Sequence, residues 1–118
     1  IMANHHTFAR ALELFQELDP NMTLSQMQAF MYAVTHEGST QREIETLLGR
    51  SNATASRVLK YWTEWEKYQV KPGHDFISIE VDPSDQRYRL VHIRPKGRMF
   101  LQKLKALLKG EQDGGSTG

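Results

Sequence analysis

The sequence of 118 residues contains no cysteine, which excludes disulfide bonds, thiolate nucleophiles and cysteine-ligated metal sites. It has no apolar run of about 18 residues, the length that predicts a membrane-spanning helix. No basic amino-terminal region followed by an apolar stretch, as in a secretory signal, stands at its start. With 39% hydrophobic and 25% charged residues, the chain is predicted to be one globular domain over residues 1–118, cytoplasmic and without a membrane partner.

Patterns for catalysis and metal binding are also missing from the sequence. The five histidines are spread over several predicted elements, and none pairs with another at the i, i+4 spacing of a helical zinc site. No glycine-rich phosphate loop, Ser-His-Asp arrangement or pair of catalytic carboxylates stands out. We therefore expect no enzyme, no metal and no cofactor.

Charge is unevenly distributed, although the net charge is only +1. Residues 1–48 carry two basic and six acidic side chains, whereas residues 49–98 carry ten basic and six acidic ones. A basic segment within a nearly neutral chain is typical of a surface that binds phosphate groups. An excess of this size also arises by chance, so the interpretation depends on the elements that carry the basic residues.

Helices are predicted at both ends of the chain. Residues 5–18 have apolar side chains at helical spacing. Thr23, with Gln26 three residues later, predicts a capping box at the start of a second helix. The last helix begins at Pro95, since proline is favoured in a first helical turn. Residues 110–118 are predicted to form a disordered tail.

A helix-turn-helix is predicted over residues 39–66. Thr40 and Glu43 form a capping pattern for its first helix, and Gly49 ends that helix. The second helix starts at Ser51 or at the following residue. Its apolar face comprises Ala55, Val58, Leu59, Trp62 and Trp65. Two helices joined by a tight turn with glycine are typical of this motif.

A β-hairpin follows the helix-turn-helix. Residues 66–75 are polar and include a Pro-Gly pair, which predicts a loop. Residues 76–81 alternate between apolar and polar side chains, residues 82–85 carry a strong turn signal, and a return strand follows, so the hairpin spans 76–94. The element order, α-α-α-α-β-β-α, predicts a mainly α fold with a two-stranded β wing, the winged helix-turn-helix.

Over residues 23–108 the sequence resembles the MarR-like (multiple antibiotic resistance regulator) winged-helix transcription factors. The segments that carry this resemblance are Thr40-Gln41-Arg42-Glu43-Ile44, Leu48-Gly49-Arg50-Ser51, Thr54-Ala55-Ser56-Arg57, Asp82-Pro83-Ser84-Asp85-Gln86-Arg87 and Pro95-Lys96-Gly97-Arg98. The last two are the most specific. The resemblance implies a homodimer, formed through residues 5–18 and 96–109, that binds a pseudo-palindromic double-stranded DNA operator and acts as a nucleoid-associated repressor.

Two alternatives remain open at this point. The family's small-molecule effectors bind between the dimerisation and DNA-binding parts, but no residue here identifies such a ligand. A winged helix can also serve as a protein–protein interaction module without a DNA role, because a fold alone does not decide function.

The first turns of the second helix are predicted to meet base edges, because a helix enters the major groove with its amino-terminal residues against the bases. Arg57 could contact guanine or, alternatively, a phosphate or a carboxylate on the protein surface. Ser51 could cap the helix or meet a phosphate. The candidates on this helix are Ser51, Asn52, Ala53, Thr54, Ser56, Arg57 and Lys60.

The hairpin carries a second candidate contact. Arg87 is near its tip, where the family places an arginine in the minor groove, and a narrow minor groove attracts arginine. Asp85 would orient Arg87 by an ion pair, although such a pair is also common in an exposed turn. The other phosphate candidates are Thr40, Gln41, Arg89, Lys96 and Arg98.

Overall fold

The computed structural model describes residues 5–66 and 71–117. Its helices are α1 (His5–Leu18), α2 (Leu24–Thr35), α3 (Gln41–Leu48), α4 (Asn52–Lys60) and α5 (Pro95–Thr117). Its strands are β1 (Trp65–Glu66), β2 (Lys71–Pro72), β3 (Ile77–Asp82) and β4 (Asp85–Ile93), paired antiparallel as β1–β2 and β3–β4. The five helices and the β3–β4 wing confirm the predicted winged helix-turn-helix. None of the helices in these two ranges is apolar over a length that would cross a membrane.

The chain divides into two compact units, where the sequence predicted one domain. One unit contains α1 and the part of α5 from Met99 onward. Within it, the rings of Phe15 and Phe100 meet edge to face with their centroids 5.1 Å apart. Exposed large apolar side chains of this unit are Phe8, Leu12, Met99 and Leu108.

The other unit, Thr23–Arg98, is built around Trp62. The indole is fully buried, and its Nε1–H donates to the carbonyl of Gln26 at 2.6 Å. Its ring lies 5.4 Å from that of Phe76 and 5.0 Å from that of Phe30. Because a buried indole N–H without an acceptor would be costly, this bond fixes α2 against the end of α4.

The structure ends α4 at Lys60, earlier than the sequence predicted, and the prediction of a helix that carries Trp62 and Trp65 on its apolar face was wrong at that end. The backbone N–H groups of Trp62 and Thr63 donate to carbonyls three residues back, which tightens the final turn. The carbonyl of Trp62 then accepts from both Phe76 and Ile77. These bonds turn the chain away from the helix axis, so Trp65 begins β1 instead of extending the apolar face of α4.

Two further segments differ from expectation. In the predicted loop, Trp65 pairs with Pro72 and Glu66 with Lys71, which makes a minimal β1–β2 ladder; residues 67–70 lie outside the described residues. The predicted disordered tail also differs, because α5 continues through Thr117. No proline follows Pro95, so nothing in the sequence removes a backbone N–H from that helix.

Candidate nucleic-acid interface

The predicted caps hold the helix-turn-helix in place. Gly49 takes the left-handed conformation, with φ 65°, at the end of α3, where a side chain would be strained. Ser51 is the N-cap of α4 and its Oγ accepts from the backbone N–H of Thr54 at 3.3 Å. The capping role of Ser51 is thus confirmed, whereas its phosphate contact stays a prediction.

The two faces of α4 separate as the sequence predicted. Ala55, Val58 and Leu59 are buried, which fixes the rotation of the helix. The opposite face is directed to solvent: Asn52, Ala53, Thr54 and Arg57 are exposed, and Ser56 and Lys60 are half-buried. The candidate base-reading residues therefore share one accessible surface at the amino-terminal end of α4.

The wing is fastened to the helix-turn-helix on both sides. Val91 of β4 donates its backbone N–H to Ser39 and accepts from Gly38, each at 2.9 Å, immediately before α3 begins. At the other edge, Phe76 and Ile77 donate to Trp62 at the end of α4. These backbone bonds fix the position of β3–β4 relative to α4, so the exposed face of α4 and the wing tip are geometrically linked.

Arg87 and Asp85 form the predicted ion pair near the wing tip. Nε of Arg87 lies 3.0 Å from Oδ1 of Asp85, and Nη2 lies 2.7 Å from Oδ2. This fork geometry is the strongest carboxylate–guanidinium arrangement. The side-chain and backbone hydrogen bonds from Arg87 lower the pKa of Asp85, and the Arg87 guanidinium has its pKa raised in return. The Arg87 side chain is 80% exposed, so a held guanidinium still faces solvent.

Thr40 and Gln41 at the start of α3 already form hydrogen bonds with acidic side chains of that helix. The N–H and the hydroxyl of Thr40 both donate to Oε1 of Glu43 at 2.9 Å, and Oγ1 accepts from the Glu43 N–H. Gln41 Nε2 donates to Glu45 at 2.9 Å. The bonds from Thr40 lower the pKa of Glu43. The stabilisation from this carboxylate is therefore present above the ordinary pKa of glutamate and is lost as the pH falls through the lowered value.

Thr40→Ala is expected to destabilise the fold by about 1 kcal/mol, because it removes the hydroxyl that caps α3. Chemical denaturation of both proteins measures the difference. Thr46→Ala is the matched control on the same helix, since the Thr46 hydroxyl donates to the carbonyl of Arg42 inside α3 and caps no terminus. Equal midpoints for Thr40→Ala and Thr46→Ala would contradict the capping role.

The remaining basic candidates have different surroundings. Arg89 lines an open cleft of about 560 Å³ beside α4 and β3, together with Lys60 and Arg94. Lys96 is exposed at the start of α5. Arg98 is instead bonded to Glu37, with Nη2 2.8 Å from Oε2. No local sequence pattern points to Glu37, because its partners Ile93 and Arg98 lie more than fifty residues away.

Side chains that ligate metals are spread over the described residues. Across residues 5–66 and 71–117, no three or more His, Asp or Glu side chains gather in a way that could hold a metal ion. The site is a polar helix face and an arginine-tipped hairpin in one frame, which defines a winged-helix domain with a surface suited to a duplex.

Comparison with solved structures identifies the fold more closely. No family model and no curated protein matches the sequence. The transcriptional regulator Tm0710 of Thermotoga maritima aligns with a TM-score of 0.72 at 14% identity, over 95% of this chain and 71% of that one. S. aureus MepR in a DNA complex gives 0.67 at 19% identity, over 95% and 84%. MarR gives 0.57 at 21%, over 74% and 57%. This is the winged-helix fold of MarR-type transcriptional regulators, and the resemblance drawn from the sequence is confirmed as a resemblance of fold.

Proposed function

We propose that this protein is a sequence-specific DNA-binding regulator of transcription and not an enzyme. The observation that carries the proposal is that two accessible elements, α4 and the wing tip, are held in fixed positions relative to each other. The polar face of α4 is exposed, and Arg87 projects from the wing while Asp85 holds its guanidinium. A helix fits the major groove, and an oriented arginine fits the adjacent minor groove.

The individual roles follow from this placement. Asn52, Ala53, Thr54 and Ser56 face base edges, and Arg57 makes either a bidentate contact with guanine or a phosphate contact. Arg87 contacts the minor groove. The flanking phosphate contacts come from Lys60, Arg89 and Lys96, with Ser51 at the amino terminus of α4. Thr40 and Gln41 are left out of the proposed contacts, because they already donate to Glu43 and Glu45.

We also propose a homodimer that represses transcription by covering a promoter. Its support is the exposed apolar surface of α1 and α5, where Phe8 and Met99 are each 64% exposed. Large exposed apolar side chains grouped in one unit are typical of a surface that another chain covers. A two-fold dimer would place its recognition helices about 34 Å apart, which matches a pseudo-palindromic operator in a nucleoid-associated, cytoplasmic protein. No effector is proposed, because none of the described residues identifies a small-molecule ligand.

Selection of bound fragments from a genomic or random DNA pool, followed by fluorescence anisotropy, tests the proposal. Six or more phosphate contacts in a dimer are expected to reduce the affinity about 1000-fold between 50 and 200 mM salt. The selected sites should contain two half-sites one helical turn apart. The absence of any binding at low salt, with one stoichiometric protein partner retained instead, would replace this function with the protein-interaction module.

A further inference from the structure

A single carboxylate oxygen joins the base of the wing to two other elements. Oε2 of Glu37 accepts from the backbone N–H of Ile93 at 3.1 Å and from Nη2 of Arg98 at 2.8 Å. Glu37 follows α2, Ile93 is the last residue of β4, and Arg98 lies in the first turn of α5. The oxygen therefore connects segments that are far apart in the sequence at the point where the wing leaves the body of the unit.

This carboxylate continues a ladder that the backbone does not complete. Val91 is bonded to Gly38 and Ser39, and two residues further along β4 the next N–H is that of Ile93. The chain opposite has already turned into α2, where the N–H of His36 donates to the carbonyl of Tyr32. The Glu37 side chain takes the place of a strand carbonyl, so it adds one attachment to those that the backbone bonds of Val91, Phe76 and Ile77 already give the base of the wing.

Charge strengthens this attachment. Partial burial raises the pKa of Glu37, but the hydrogen bonds from Ile93 and Arg98, together with nearby positive charge, outweigh that effect and leave the pKa lowered. Glu37 is therefore ionised at neutral pH, and hydrogen bonds to a carboxylate are shorter and stronger than those to a neutral acceptor. Its side chain is 33% exposed and that of Arg98 is 55% exposed, so the pair adds little to global stability.

Ile93 lies at the base of the wing, far from its tip, so a small rotation at Ile93 displaces the tip by several ångströms. Arg87 lies six residues earlier in the same strand, about 20 Å away at the rise of a β-strand. A tilt of about 10° at the base would move the tip by about 3 Å, which is enough to break a hydrogen bond to DNA. Small changes at Glu37 are thereby magnified at Arg87.

We propose that Glu37 is a positioning residue for DNA binding, which fixes the base of the wing so that Arg87 reaches its groove while α4 occupies the neighbouring one. The inference rests on the proposed DNA-binding function. It also assigns Arg98 a different role from the phosphate contact expected from the sequence, because its guanidinium acts through Glu37.

Glu37→Gln tests the proposal through the sign of its effect. The substitution removes a negative charge, so electrostatics alone would leave DNA binding unchanged or make it tighter. If the substitution loosens the wing instead, DNA binding should weaken by about tenfold. Glu80→Gln is the matched control: it removes the same charge from β3, where the carboxylate accepts from Ser78 on the same strand. Binding of the 118-residue variants to a selected DNA site is measured by anisotropy, below the unfolding transition recorded by circular dichroism.

Double variants separate positioning from a general structural role. Glu37→Gln should add no further loss to Arg87→Ala but should keep its full tenfold effect in Arg57→Ala. Arg98→Gln repeats the test from the other side of the ion pair, and should leave the salt slope unchanged if Arg98 contacts no phosphate. Wild-type affinity in Glu37→Gln, or equal losses in all backgrounds, would overturn this inference and leave the proposed function intact. Failure of the wild-type protein to bind DNA would overturn both.

Discussion

Gly97→Ala is expected to destabilise the fold by about 3 kcal/mol and to lower the melting temperature by roughly 10 °C. A Cβ at this position would overlap the carbonyl oxygen of Phe76, stand 3.0 Å from the carbonyl carbon and lie 3.1 Å from Cγ2 of Ile93. The obstructing atoms of Phe76 are backbone, and that carbonyl accepts the N–H of Arg94. The first turn of α5 would therefore have to move away from the base of the wing.

The expected change in stability for Gly97→Ala has the opposite sign to the change that helix propensity predicts. Alanine is about 1 kcal/mol more favourable than glycine inside a helix, so helix propensity alone predicts stabilisation. Lys96→Ala, one residue earlier and exposed, is the matched control and should change stability by less than about 0.5 kcal/mol. Thermal and chemical denaturation give both values. An unchanged or higher melting temperature for Gly97→Ala would show that α5 can shift without loss.

The helix starts and the wing tip could be predicted because their signals are local. Thr40 and Glu43 are three residues apart, and Asp85 and Arg87 are two apart, so each pair meets as soon as its turn forms. The apolar spacing of α4 likewise gave Ala55, Val58 and Leu59 as its buried face, but it wrongly continued that face to Trp65. Most of the candidate residues belong to such local pairs or to one helix face, so their positions in the fold could be predicted, whereas their contacts with DNA stay a prediction.

The parts that the sequence did not predict depend on distant partners. The helical pattern of α4 continues through Trp65, but the helix ends at Lys60, and the carbonyl of Trp62 accepts instead from Phe76 and Ile77, which lie beyond the following loop. In the sequence, nothing distinguishes Arg98 from the other basic residues after the wing. Only the folded structure places Glu37 beside it. A single sequence gives the residue types at these positions but carries no signal that pairs them.

Arg87→Ala is expected to weaken DNA binding by roughly 10- to 100-fold while leaving the fold intact. Hydrogen bonds of a charged group to a buried partner have this effect on affinity when one side is removed. The side chain is 80% exposed and its carboxylate partner is two residues away, so the folded protein loses only an exposed turn pair. Anisotropy with a selected duplex measures the affinity, and circular dichroism confirms the fold.

Two controls show whether geometry or charge is responsible. Arg87→Lys keeps the charge but cannot make the fork-shaped contact with Asp85, so it should recover only part of the lost affinity. Arg10→Gln removes one positive charge from an exposed arginine that pairs with Glu13 on α1. If Arg10→Gln weakened binding as much as Arg87→Ala, the loss would reflect net charge and the wing contact would be rejected.

The base preference of the two arginine variants separates the roles of helix and wing. Arg87→Ala should select the same half-site bases as the wild type but lose any preference for the narrow, A·T-rich minor groove beside them, because that groove is recognised by its shape. Arg57→Ala should relax selection at one base pair if Arg57 contacts guanine, and at none if it contacts a phosphate. Selection of both variants from the same random pool therefore decides the role that the sequence left open for Arg57. A change in half-site bases for Arg87→Ala would mean that the wing reads sequence directly.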